Sequence, residues 1–157
     1  MPTSRQPAED TPLDLAFAQE LISPEVTRTL PVGLTIRPLS SDDYSRGHLT
    51  VLSVLTMVKD LWAAAWAAQF HAIGSVPDTY YPLVIVDNTL DRILAAGTLF
   101  VERKFRHGTG SRRLVAVVTS QQRNRLGLRV AQALVHISGK AGCYKTVGNC
   151  VDANIRE

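Results

Sequence analysis

Residues 114–119 read LVAVVT, residues 120–125 read SQQRNR, and residues 126–142 read LGLRVAQALVHISGKAG. The first block is short, apolar throughout and rich in β-branched side chains, the pattern of a strand buried on both faces. The second is a polar, basic turn. In the third, Leu126, Val130, Ala133, Leu134, Ile137 and Ala141 recur at i, i+4, i+7, i+8 and so on, the stripe of an amphipathic helix. Gly142 stops that helix. A buried strand that passes through a basic turn into a helix belongs to an α/β fold.

The turn has chemical meaning. The first backbone N–H groups of a helix lack intrahelical partners, and the helix dipole adds positive potential there, so an anion is favoured. Arg123 and Arg125 add formal charge, and Gly127 permits close backbone approach. A diphosphate suits such a place. A plain basic helix cap on the surface is the alternative, and the residues alone leave both open.

Working outward, residues 144–150 (YKTVGNC) predict a further strand after the helix. Upstream, residues 80–86 (YYPLVIV) and 93–105 (ILAAGTLFVERKF) predict two strands of one hairpin, joined by the turn chemistry of 87–91 (DNTLD). Residues 107–111 (HGTGS) form a Gly-rich loop. Residues 34–39 (LTIRPL) alternate as a first strand. Ser41, Asp42 and Asp43 signal a helix start, followed by Tyr44, Leu49, Leu52 and Leu55 at near-helical spacing. A second helix is predicted over 61–72, with Trp62, Trp66, Phe70 and Ile73 on one face. That aromatic stripe reads as core packing. Residues 13–31 read as an extended arm with at most one helical turn, and residues 1–12 as a disordered tail. The chain thus divides into an N-terminal arm, 1–31, and a folded domain, 32–157.

Charge is strongly polarised. Residues 1–102 hold 6 basic and 12 acidic side chains. Between Glu102 and Asp152 there are ten basic residues and no acid: Arg103, Lys104, Arg106, Arg112, Arg113, Arg123, Arg125, Arg129, Lys140 and Lys145. Such a field favours a polyanion, a phosphorylated small molecule or a nucleotide cofactor. It also excludes any carboxylate base or carboxylate metal ligand from this stretch. Only Phe105 and Tyr144 lie within it for base stacking, which argues against a nucleic-acid-binding protein.

The remaining composition is that of a globular domain. Of 157 residues 45% are hydrophobic, and no apolar run reaches the roughly 18 residues of a membrane span. The polar N-terminus lacks a signal-peptide core, so a cytoplasmic location is expected. Cys143 and Cys150 match no zinc spacing, and the four histidines are scattered, so no metal is expected.

Gln122-Arg123-Asn124-Arg125-Leu126-Gly127, opening a helix after a strand, resembles the acetyl-CoA pyrophosphate loop of the GNAT acyltransferases. Five collinear segments sharpen the likeness: LPVGLTIRPL at 30–39, DDYSRGHLTVLSVLT at 42–56, TLFVERKFRH at 98–107, LGLRVAQAL at 126–134 and GCYKT at 142–146. Over roughly residues 17–154 the chain resembles the fungal-type glucosamine 6-phosphate N-acetyltransferases.

The resemblance implies a GNAT-like mixed sheet flanked by helices. It also implies acetyl transfer from acetyl-CoA to the 2-amino group of glucosamine 6-phosphate, without a metal, on the route to UDP-N-acetylglucosamine. For substrate binding it implies Thr56, the Lys-x-x-His segment Lys104 and His107, and the phosphate-directed pair Tyr144 and Lys145. For the cofactor it implies the strand backbone at Val115 and Val117, the loop Gln122, Arg123, Asn124, Arg125, Leu126, Gly127 and Leu128, and Asn154.

The chain departs from the family pattern in three places. Arg113-Leu114 stands where the family carries a Glu-Asp pair. Arg123 and Arg125 stand where the loop carries glycines, and arginine resists the positive φ that glycine permits. The family's Phe-Tyr and its last helix and strands are not found before Glu157, so a truncated domain with a weakened homodimer is expected, and no catalytic residue is assigned. These departures keep a second expectation open: a catalytically dead GNAT-like module that binds CoA or a full-length relative.

Overall fold

The computed structural model describes residues 12–53, 62–102, 111–118, 125–143 and 145–148, with the backbone alone for 111–118 and 145–148. Five strands form one sheet in the order β1-β2-β3-β4-β5: β1 (Leu34–Pro38), β2 (Tyr80–Asp87), β3 (Arg92–Glu102), β4 (Ser111–Val118) and β5 (Lys145–Gly148). The first four are antiparallel neighbours, and β5 joins β4 in parallel, so the sheet is mixed. Four helices accompany it: α1 (Pro24–Thr29), α2 (His48–Leu52), α3 (Ala63–Gly74) and α4 (Leu126–Lys140).

Alternation along β2 explains why the helices divide between two faces. Tyr81, Leu83 and Ile85 join a core with Ile22, Val26 and the α4 stripe Leu126, Val130, Ala133, Leu134 and Ile137. Val84 and Val86 join a second core with Val51, Trp66 and Phe70. A strand buried on both faces reads as a continuous apolar run, as β2 does. The pairing shifts between Ile85 and Val86: Ala95 pairs with Ile85 but Ile93 with Val86, leaving Leu94 as the extra residue. That bulge reverses the alternation of β3, so Ala95 and Ile93 enter opposite cores.

Three stretches differ from expectation. Residues 13–31 are folded. A 3-10 turn at Gln19–Leu21 precedes α1, whose N-cap Ser23 hydroxyl accepts from Val26 N–H, with Pro24 at the first helical position. Ala16 N–H donates to Leu39 C=O, and Phe17 meets Tyr81 edge-on at 5.4 Å. The apolar patches that looked like an arm are thus tied to the core.

Residues 41–47 are turns, and the helix begins only at His48. Asp43, wholly buried, is drawn into a two-pronged pair with Arg37 at 2.7 and 2.8 Å and accepts Ser40 N–H at 2.7 Å. Arg46 bridges Asp42, Asp43 and Asp91. Gly47, at φ +84°, turns the chain into α2. These acids bind arginines instead of capping a helix.

Trp62, expected on the buried face of its helix, is extended and 77% exposed, whereas Trp66 and Phe70 stack at 5.6 Å inside the core.

Candidate active site

Register across the sheet sets the site. Glu102 pairs with Ser111, and Ser111 with Lys145. The ends of β3, β4 and β5 therefore meet at one edge, from which the connection over 103–110 departs and returns. Arg113 lies between Phe100 and Val147, and Leu114 between Leu99 and Gly148. Leu114 with Gly148 is the last described β4–β5 pair. Val115, Ala116, Val117 and Val118 pair with β3 on one side and, among the described residues, have no partner on the other. Alternate backbone groups there point away from β3 and can receive another extended chain, as in strand addition.

At the far end of β4, Val118 leads by six residues to Arg125, the N-cap of α4. Arg125 takes a left-handed conformation at φ +52°, although arginine resists positive φ. Its carbonyl accepts Arg129 N–H at 3.2 Å, and no side chain caps the helix. Leu126 is wholly buried and holds the helix start against the sheet, while Leu128 is 46% exposed. No acid occupies the first turn of α4. This helix entrance is therefore positive from dipole and side chain alike.

Of the residues expected to bind substrate, Lys145 opens β5 beside Ser111. Thr56, Lys104, His107 and Tyr144 lie outside the described residues. Of those expected to bind the cofactor, Val115 and Val117 lie in the one-sided part of β4, and Arg125, Leu126, Gly127 and Leu128 open α4. Gln122, Arg123, Asn124 and Asn154 lie outside the described residues. Among the described residues no group of three side chains could hold a metal ion.

His48, which the sequence did not single out, meets Trp66 of the aromatic stripe. Trp66 Nε1 donates to His48 Nδ1 at 3.1 Å, with the rings edge-on at 5.8 Å. This bond fastens α2 to α3, the helices that flank residues 54–61. Burial pushes the His48 imidazole down to about 4, against the opposing charge of Asp43. A lone histidine after a glycine carries no sequence signal for such a pair.

No family model matches the chain. Individual relatives do. Glucosamine 6-phosphate N-acetyltransferase 1 of Dictyostelium discoideum is 37% identical over 127 residues, covering 79% of this chain and 80% of the relative. The chain belongs to the glucosamine 6-phosphate N-acetyltransferase family. Probable glucosamine 6-phosphate N-acetyltransferase 2 of Oryza sativa is 41% identical over 138 residues, covering 82% and 83% of the two chains. The crystal structure of glucosamine-6-phosphate N-acetyltransferase from Arabidopsis thaliana superposes with a TM-score of 0.70 at 28% identity, covering 77% and 84%. The GNAT-like mixed sheet with helices on both faces is thus the observed fold, and in this chain the sheet edge at Ser111 and the α4 entrance lie at opposite ends of β4.

Proposed function

We propose that the chain transfers an acetyl group from acetyl-CoA to the 2-amino group of glucosamine 6-phosphate. The observation that carries this reading is the stretch of β4 between the Leu114–Gly148 pair and the α4 entrance, which among the described residues pairs with β3 alone. The pantetheine arm pairs with Val115 and Val117, as a short added strand would. The diphosphate sits at the start of α4, on the backbone N–H groups that follow Arg125. This leaves the thioester near Arg113 and Leu114, and the sugar at the edge where Lys145 stands. Lys145 meets the sugar phosphate as a compact positive charge, with Tyr144 beside it. Thr56, Lys104 and His107 complete the sugar contacts, and Gln122, Arg123, Asn124 and Asn154 the cofactor contacts.

In the reaction the neutral amine attacks the thioester carbonyl. A C–N bond forms, the C–S bond breaks, and the electron pair leaves on sulfur. The amine proton passes to solvent and the thiolate is protonated to CoA. Holding both reactants in line can supply about 7–11 kcal/mol of the barrier without any covalent protein intermediate. Arg113 favours the neutral, nucleophilic amine through like-charge repulsion. No carboxylate stands in β4 to take the proton, so positioning carries most of the rate.

Incubation with both substrates, followed by mass spectrometry of the sugar, yields N-acetylglucosamine 6-phosphate. Sugar left unmodified contradicts the proposal. The substitution of Glu-Asp by Arg113-Leu114 favours one second reading, a silent module that retains CoA. Saturable CoA binding with no sugar product supports that reading. The reaction fits a cytoplasmic protein. Among the described residues no helix is long and apolar enough to cross a membrane.

A further inference from the structure

Where α4 faces α1, a cleft of about 390 Å³ opens between the two helices. Arg129, Gln132, Val135 and His136 line it from one face of α4, with Glu25 and Val26 from α1 opposite. Its size suits a small metabolite, since ligand clefts run from about 300 Å³ upward.

Three observations give the cleft chemical character. His136 Nε2 is buried with no hydrogen-bond partner among the described residues, and a buried polar atom left unpaired costs free energy until something fills that role. Arg129 donates to Gln132 Oε1 at 3.1 Å, which leaves the Gln132 amide nitrogen and the rest of the guanidinium to donate elsewhere. Among the described residues neither Arg129 nor Glu25 forms an ion pair, although both line this one cleft.

We propose that the cleft is a second small-molecule site. It takes a compound that carries an oxyanion, phosphate or carboxylate, and a nearby ammonium or hydroxyl group. The oxyanion sits on Arg129, Gln132 and the Nε2–H of His136. The ammonium or hydroxyl group turns to Glu25, and Val26 and Val135 cover the carbon chain between them. The site shares no lining residue with the β4–β5 ladder, and binding there is independent of acetyl transfer.

Calorimetric titration of the full chain with O-phosphoethanolamine, β-alanine and inorganic phosphate tests this. At least one of the two zwitterions binds saturably, with a Kd of about 1 mM or tighter, and inorganic phosphate binds at least about threefold more weakly. The two zwitterions separate a phosphate site from a carboxylate site. Arg129→Gln weakens binding about tenfold or more, Glu25→Gln removes the advantage over inorganic phosphate, and Lys145→Ala changes neither. The His136 Nε2 resonance of chain labelled with ¹⁵N-histidine shifts with the same Kd. His136→Gln is a further variant, and Arg129→Gln, on the helix surface, serves if that one does not fold. The proposal is overturned if neither zwitterion saturates, if binding survives Arg129→Gln, if Lys145→Ala abolishes it, or if the Nε2 resonance does not move and the nitrogen holds only water.

Discussion

Ser111 and Lys145 stand opposite each other across the parallel β4–β5 ladder, and Glu102 stands on the other side of Ser111. That register places Lys145 at the edge where the 103–110 connection begins and ends. If Lys145 meets the sugar phosphate, Lys145→Ala raises the KM for glucosamine 6-phosphate about tenfold or more, the scale of a lost charge-assisted contact. The KM for acetyl-CoA stays within about twofold. Equal rises in both would place Lys145 elsewhere. Steady-state kinetics with each substrate varied in turn provides the check.

The resemblance aligns Arg113 and Leu114 with a Glu-Asp pair of the family. The double change Arg113→Glu with Leu114→Asp returns an acceptor for the amine proton. General-base assistance contributes roughly 10²–10⁴-fold, so kcat rises at least tenfold, with a steeper dependence on pH below 7. An unchanged kcat would mean that positioning alone sets the rate.

Arg125 holds a left-handed backbone that costs an L-residue about 1 kcal/mol or more. Arg125→Gly relieves this and stabilises the fold by a few tenths to about 1 kcal/mol, while Arg125→Val destabilises it, because a β-branched residue tolerates positive φ least. Urea denaturation of the two variants reads the opposite signs directly.

Burial of Asp43 against Arg37 makes that pair costly to break from one side. Asp43→Ala leaves a buried guanidinium without its partner and costs about 3–5 kcal/mol. The shift in chemical-denaturation midpoint measures it, and a loss below about 1 kcal/mol would show that water or Asp42 replaces the carboxylate.

His48 links stability to pH. Its folded value, about 4, lies below the ordinary imidazole value of about 6.5, so between these two the unfolded chain binds the extra proton. Stability from this group is complete above about pH 6.5 and falls as pH drops toward 4, by about 3 kcal/mol in all. His48→Asn keeps an acceptor for Trp66 Nε1 but does not titrate, so its denaturation midpoint declines less steeply over that window. Parallel declines in wild type and variant would assign the pH dependence to other groups.

How far the sequence reveals this molecule depends on what each segment's neighbours do. The helix of 126–140 was legible because its apolar pattern matches its own burial: Leu126, Val130, Ala133, Leu134 and Ile137 all face the core. The hairpin was legible for the same reason. Residues 41–47 were not, because Arg37, six residues before Asp43, takes the carboxylate that would otherwise mark a helix start. The segment 13–31 was misread because its apolar residues are spaced to fit the sheet and α4 and show no period of their own. Leu94 reverses the alternation of β3 only through its pairing with β2, which no local pattern shows. Strand–helix geometry suggests an anion site at the start of α4, and the assignment of the cofactor and sugar residues comes from the resemblance.

The central claim is acetyl transfer to glucosamine 6-phosphate. Its most direct test is free-thiol release from acetyl-CoA by the purified chain, with and without glucosamine 6-phosphate, and with glucosamine as the control that lacks the phosphate. The expected release saturates with glucosamine 6-phosphate and is at least tenfold faster than with glucosamine, because Lys145 and its neighbours recognise the phosphate. Release no faster than spontaneous hydrolysis, with the fold intact, would contradict it.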